Sequence, residues 1–295
     1  MTKSFSIICA LITTFIWGTA FIAQDTGMDN IGPLTFNAAR FLVGFLTVLP
    51  FALFFERKKI FKQIQLDKKK FLKYLTIMGV SLFLGTSLQQ TSLQYTNVAN
   101  AAFFTVFYVP LVPILLFLIY SQKVHWSIWP SIGLCIYGVY LLSNFSNTEI
   151  MIGDGLVILC SLFWALHIIF AGKFMEIFDI PIFYAAMQAM LVTILSFFFA
   201  YIFEDIIFSD ILLESYSIIY AGVLSGGIAF TLQMFAQKNI EEAPAAIIYS
   251  LEGVFAVIAA WIILDQILNL NNIVGCILIL LAVIFSQVAP TVKKN

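Results

Sequence analysis

Charge is what this chain has least of. Only 11% of its 295 residues are Asp, Glu, Lys or Arg, against about 25% in a soluble domain. Apolar residues make up 61% and the mean hydropathy is +0.99. No soluble core of this length hides so much apolar surface, so lipid must be the solvent for most of the chain. The net charge of −1 leaves no basic field with which to hold a nucleic acid. Histidine is almost absent: His125 and His167 are the two copies, and they do not make a metal site. The four cysteines, Cys9, Cys135, Cys160 and Cys276, lie in apolar runs without metal-ligand or disulfide spacing. There is no GxxxxGK[ST], hence no ATPase motor, and no cofactor motif. The paired Asp, the His cluster and the His-x4-Asp pair of membrane enzymes are missing, and so is the charged ring of a channel filter. The longest polar stretch, roughly 56–70, is too short for a soluble domain.

Long apolar runs are what the chain does have. A span needs about 20 apolar residues to cross a hydrocarbon core about 30 Å thick. Ten spans are expected, near 5–23, 34–55, 71–91, 98–119, 127–143, 153–172, 181–203, 215–236, 243–263 and 270–288. The first is long enough to be a retained helix rather than a signal peptide. Pro33 and Pro181 sit at helix starts, where the missing N–H costs little.

The cations give the orientation. Lys3, the eight cations from Arg57 to Lys73, and Lys123, Lys173, Lys238, Lys293 and Lys294 fall in alternate loops, 14 of the 15 Lys and Arg. The intervening loops carry only acids: Asp25, Asp29, Glu149, Asp154, Glu204, Asp205, Asp210, Glu214 and Asp265. Both termini are therefore expected to be cytoplasmic.

The chain also resembles itself. At an offset of 147, Trp17 falls on Trp164, and Phe36, Ala38 and Ala39 fall on Phe183, Ala185 and Ala186. At 144, Leu88-Gln89 falls on Leu232-Gln233, Ala99, Ala101 and Ala102 fall on Ala243, Ala245 and Ala246, and Gln122 falls on Gln266. A repeat of five spans, an odd number, inserts its second copy from the opposite side of the membrane. The expected fold is all-α integral membrane: ten transmembrane helices as two inverted five-helix repeats, 1–146 and 147–295, around a central cavity.

Two stretches carry a family resemblance. They are Ile16-Trp17-Gly18-Thr19-Ala20-Phe21 with Gly32-Pro33-Leu34-Thr35-Phe36-Asn37-Ala38-Ala39-Arg40-Phe41, and Ala243-Pro244-Ala245-Ala246 with Tyr249-Ser250-Leu251-Glu252-Gly253-Val254-Phe255-Ala256. Together, in order and across both halves, they resemble the drug/metabolite transporter (DMT) superfamily, EamA branch. That resemblance implies a carrier of amino acids, nucleotide sugars, phosphorylated sugars or other metabolites, often outward in bacteria. It also implies spans 1–4 and 6–9 as cavity walls and spans 5 and 10 at the periphery. Where the family often has Pro after the Glu of span nine, this chain has Gly253. After that span, where the family often has an acid followed by Arg or Lys, it has Asp265-Gln266.

Polar residues inside spans are expensive and need a reason. Arg40 and Glu252 cost most. They could meet a substrate's carboxylate and amine, or neutralise each other. Glu252 could instead exchange a proton, and His167 is a second proton-coupling candidate. Trp17, Asn37, Gln89, Asn100, Trp164, Gln188, Gln233 and Tyr249 complete the expected substrate-binding set, with Tyr108 and Tyr184 as further wall candidates. Gln89 and Gln233 are repeat-related and could face each other across the cavity. Gly222 to Gly226 and Ser81 to Gly85 are small-xxx-small stretches that mark close helix contacts.

The expected function is export of a small polar metabolite, an amino acid or relative, by alternating access in a bacterial inner membrane. Protons are a possible coupling ion, no cofactor is needed, and the carrier is a monomer or weak homodimer. The alternatives are a lipid or lipid-intermediate flippase and an exchanger of nucleotide-linked or phosphorylated metabolites.

Overall fold

The computed structural model describes residues 2–96, 98–143, 151–263 and 268–292. Glu149, Asp265, Gln266, Lys293 and Lys294 lie outside the described residues. Every regular element among those described is helical.

The first expected span is α1 (Lys3–Thr26) and the second α2 (Pro33–Phe55). The stretch expected as a polar loop is instead helix α3 (Arg57–Leu66). Ile60 and Ile64, four apart, give it one apolar stripe. The third span is α4 (Lys68–Ser92). The fourth is split into α5 (Val98–Thr105) and α6 (Tyr108–Tyr120). The break has a local cause: Pro110 cannot donate to Val106 and its ring crowds the carbonyl four residues back. The fifth span, α7 (Ile128–Leu142), has 15 residues, short for a full crossing. Then come α8 (Ile152–Met175) and α9 (Pro181–Phe203). A short helix, α10 (Phe208–Leu213), precedes span eight. That span runs as α11 (Ser215–Tyr220), a π-helical segment over Ala221–Ala229, and α12 (Phe230–Ala236). Span nine is α13 (Glu242–Tyr249) and α14 (Leu251–Ile263), and α15 (Leu270–Val292) is the last. Among the described residues, nine segments are long and apolar enough to cross a membrane, with α7 as the shorter tenth.

Large apolar side chains face outward all round, among them Phe54, Phe197, Leu280 and Ile284. In water this surface would drive aggregation; against lipid tails it is solvated. Without a hydrophobic drive between helices, association rests on close packing. Several crossings are at backbone contact, two of them made by α1 and α2. A Cβ on Gly44 of α2 would lie 2.8 Å from the Gly226 carbonyl carbon, and one on Gly18 of α1 would lie 2.6 Å from the Glu252 carbonyl oxygen. The Gly222–Gly226 stretch is therefore the seat of α2, and its wider π turns were not foreseen from the sequence.

Helix α2 packs along α9, α4 along α8, α7 along α15, and α1 against α12 and α14. The α2–α9 pair is antiparallel and tied at both ends in the same way. Glu204, just past α9, accepts from the Leu34 and Thr35 backbone N–H groups at 2.8 and 2.7 Å and from the Thr35 hydroxyl at 2.7 Å. Glu56, just past α2, accepts from the Ile182 and Phe183 N–H groups at 3.2 and 2.7 Å. Each carboxylate thus satisfies the orphan donors and positive dipole end of the other helix. Burial raises the Glu56 carboxyl from its usual range, and these hydrogen bonds partly offset the shift.

Candidate functional site

The spans turn the inner faces of α1, α2, α4, α5, α6, α8, the π-helical segment, α12, α13 and α14 onto one cavity with an empty volume of about 580 Å³. Its core is aromatic. Trp17 lies 5.1 Å from Phe230, 5.6 Å from Tyr249 and 6.4 Å from Trp164, centroid to centroid. Thr86, Gln89, Thr105, Tyr108 and Gln233 add polar groups around it.

Of the ten expected substrate-binding residues, seven line this cavity: Trp17, Arg40, Gln89, Trp164, Gln233, Tyr249 and Glu252. Tyr108, a further wall candidate, lines it too. Asn37, Asn100 and Gln188 are not in the wall. Asn37 is fully buried and accepts from Arg40 Nε at 2.8 Å. Asn100 donates to the Asp154 carboxylate at 3.0 Å, beside Thr96, whose hydroxyl donates to it at 2.5 Å. Gln188 Oε1 is 2.9 Å from His167 Nε2. His167 is also outside the wall, its ring edge-on to Trp164 and Phe230. Tyr184 stacks on Phe174, away from the cavity.

Both membrane charges of highest cost reach the cavity without a countercharge. Arg40 is 3% exposed. Among the described residues it has the Asn37 bond and the Phe36 and Phe41 rings at 5.4 and 5.1 Å, and no carboxylate. Glu252, half-buried, has neither an ion pair nor a hydrogen bond among them. The two do not pair with each other. Five further buried polar atoms of the wall have no protein partner: Tyr108 Oη, Trp164 Nε1, Tyr249 Oη and both amide atoms of Gln233. Each such group costs about 1–3 kcal/mol when left alone. A wall that keeps these five atoms and the Glu252 carboxylate without protein partners in one place is built to meet something polar.

Of the lining residues not expected from the sequence, Phe21, Thr86, Ile168 and Phe230 stand three or four positions from Trp17, Gln89, Trp164 and Gln233 on the same helix faces, and Thr105 is the offset mate of Tyr249. Twelve of the sixteen lining residues pair with one another at the two sequence offsets. At 147 the pairs are Trp17 with Trp164 and Phe21 with Ile168. At 144 they are Thr86 with Phe230, Gln89 with Gln233, Thr105 with Tyr249, and Tyr108 with Glu252. The four unmatched residues, Gln24, Arg40, Phe41 and Ser225, all lie in the half of the bundle nearer the acidic loops.

The opposite half, toward the basic loops, is filled. Phe71, Phe174, Phe178 and Tyr184 pack ring to ring there. Beyond them all four ion pairs of the described residues form a clasp. Asp179 holds Lys59 at 2.6 Å and also Lys238, and Lys173 meets Glu176 at 2.7 Å and Glu242 at 3.3 Å. Burial alone would raise the Asp179 carboxyl, but hydrogen bonds from Lys238 and Lys59, with their charges, hold it below the usual range. The same contact raises Lys59.

Fold and site together define a polytopic membrane transporter with one central polar-aromatic cavity. The comparisons with known proteins make the class specific. The EamA-like transporter family matches twice, over residues 4–144 and 151–287, and the chain belongs to that family, within the DMT superfamily. It is 31% identical over 273 residues to an uncharacterized transporter of Archaeoglobus fulgidus, covering 92% of this chain and 82% of that one. It is 24% identical to the uncharacterized transporter YoaV of Bacillus subtilis, covering 90% and 91%, and 24% identical to a WAT1-related protein of Arabidopsis thaliana, covering 85% and 81%. A solved crystal structure superposes with a TM-score of 0.78 over 98% of this chain and all of the other at 13% identity, a likeness of fold.

Proposed function

We propose that this transporter carries a small zwitterion, an amino acid or close relative, by alternating access, and moves it outward across a bacterial inner membrane with the basic loops in the cytoplasm. One observation carries the substrate reading. A guanidinium and a carboxylate, both lacking protein partners of opposite charge, share the wall of one cavity. A carboxylate at Arg40 and an amine at Glu252 would complete both, while the Trp17–Trp164–Phe230–Tyr249 box takes the apolar body.

Alternating access draws support from the two family matches and from the pairing of lining residues. Two inverted halves that exchange conformations move the opening from one face to the other. Glu252 remains a candidate for proton coupling as well as for amine binding. His167 is tied to Gln188 and stands behind the wall.

Ligand-induced thermal stabilisation of purified protein tests the substrate reading. Amino acids should raise the Tm, and their methyl esters and N-acetyl derivatives, each lacking one charge, should not. Stabilisation by esters and free acids alike would remove Arg40 from the role.

A further inference from the structure

The two reciprocal caps fix the repeat register of α2 and α9 more tightly than residue identities do. Glu56 caps Ile182 and Phe183, and Glu204 caps Leu34 and Thr35, so the mates in this pair are 148 apart, one more than the sequence match suggested. At that offset Arg40 is the mate of Gln188 and Phe41 the mate of Ala189.

The cavity consists of six mate pairs and an extension made by Gln24, Arg40, Phe41 and Ser225. The mates of the extension are Ala171, Gln188, Ala189 and Ser81. All four are buried in the closed half, at 0%, 0%, 1% and 4% exposure. Two polar groups there keep unused capacity. Gln188 Nε2 has no partner and His167 Nδ1 has none, although both side chains are fully buried. Trp164 and Phe230, against which His167 packs, are cavity wall, so the pair sits directly behind the present site.

We propose that Gln188, oriented by His167, is a second binding position that takes the place of Arg40 when the cavity opens toward the basic loops. This rests on the carrier reading above and goes beyond it. The substrate's carboxylate is then held by a cation on one side of the membrane and by a neutral amide on the other. The site is asymmetric in chemistry although the halves are related in fold.

The test is sided transport in proteoliposomes of known orientation, with wild type, Gln188→Met and Arg40→Gln. Wild type that exchanges no amino acid would overturn the carrier reading itself, whatever the variants do. Given exchange, Gln188→Met should raise the KM at the basic face about fivefold, the worth of one neutral hydrogen bond, and leave the KM at the acidic face unchanged. Arg40→Gln should do the reverse. Equal changes at both faces, or none, would overturn the second position.

A labelling experiment covers the case of a Gln188 variant that does not fold. Ser225→Cys and Ser81→Cys, mates in the extension and in the closed half, are placed in a protein without its four native cysteines. An impermeant maleimide should reach position 225 from the acidic face and position 81 from the basic face during exchange. Active protein whose position 81 is never labelled would contradict the proposal.

Discussion

Arg40→Gln separates a ligand-binding charge from a structural one. The substitution removes the hydrogen bond from Nε to Asn37 and the contacts with the Phe36 and Phe41 rings. A hydrogen bond with a charged group is worth about 1.5–3 kcal/mol, and a desolvated cation–π contact about 0.5–2 kcal/mol. Against these losses stands the cost of holding a guanidinium out of water with no anion beside it, several kcal/mol per ion. The terms nearly cancel, so the variant's stability should lie within about 2 kcal/mol of wild type. A glutamine can still donate to Asn37, which narrows the gap. Breaking a true buried ion pair would cost about 3–5 kcal/mol. The assay is thermal unfolding in detergent with and without amino acid. The Tm should stay near that of wild type and the ligand-induced rise should be lost. A variant destabilised as if an ion pair had been broken, yet still stabilised by substrate, would refute the reasoning.

Other perturbations probe the frame around the site. Gly222→Val would drive a Cβ to 2.6 Å from the Arg40 carbonyl oxygen, and overpacking of that kind costs about 1–3 kcal/mol; lower folded yield and Tm check it, and an unchanged Tm would mean the α2 crossing is slack. Glu204→Ala removes the cap of α2 at the Leu34 and Thr35 N–H groups and should cost about 0.5–2 kcal/mol, with faster hydrogen exchange confined to the first turn of α2. Asp179→Asn breaks the contacts with Lys59 and Lys238. Because the folded pKa of Asp179 is depressed, the clasp is fully present above the unfolded value of about 3.9 and is lost as pH falls through the lower folded one. The Tm gap between wild type and variant should hold from neutral pH to about pH 5 and close in stronger acid; a gap that widens in acid would contradict the assignment.

The spans were legible because the bilayer imposes a length on every apolar run, and the mid-span charges because each is costly. Much of the cavity wall followed. Yet Asn37, Gln188 and His167 are as polar and as deeply placed as Gln89 or Gln233, and they do not line the cavity. Each residue turns a helix by about 100°, so wall and second layer differ by a rotation that packing alone sets. Asn37 does share a face with Arg40, as their spacing required, but spends it on the guanidinium. The π segment at Ala221–Ala229 leaves no mark in the apolar pattern, since it changes hydrogen-bond partners and not residue types. Helix α3 was hidden by its lysines, although Ile60 and Ile64 carried its period. On the α2–α9 pair the Phe-x-Ala-Ala matches fit an offset of 147, whereas the capping carboxylates Glu56 and Glu204 and the groups they cap are 148 apart.

The central claim, a carrier whose cavity receives a zwitterion between Arg40 and Glu252, is tested most directly by counterflow in proteoliposomes. Vesicles are loaded with unlabelled amino acids and the uptake of each labelled one is followed, with Arg40→Gln and Glu252→Gln run in parallel. Wild type should transiently accumulate a subset of amino acids, and Arg40→Gln should accumulate them markedly less at substrate concentrations below its raised KM. Glu252→Gln should abolish exchange if the carboxylate binds the amine, and spare exchange while removing pH-driven uptake if it carries the coupling proton. Folded wild-type protein that accumulates none of them, or an Arg40→Gln variant that exchanges them normally, would contradict the claim.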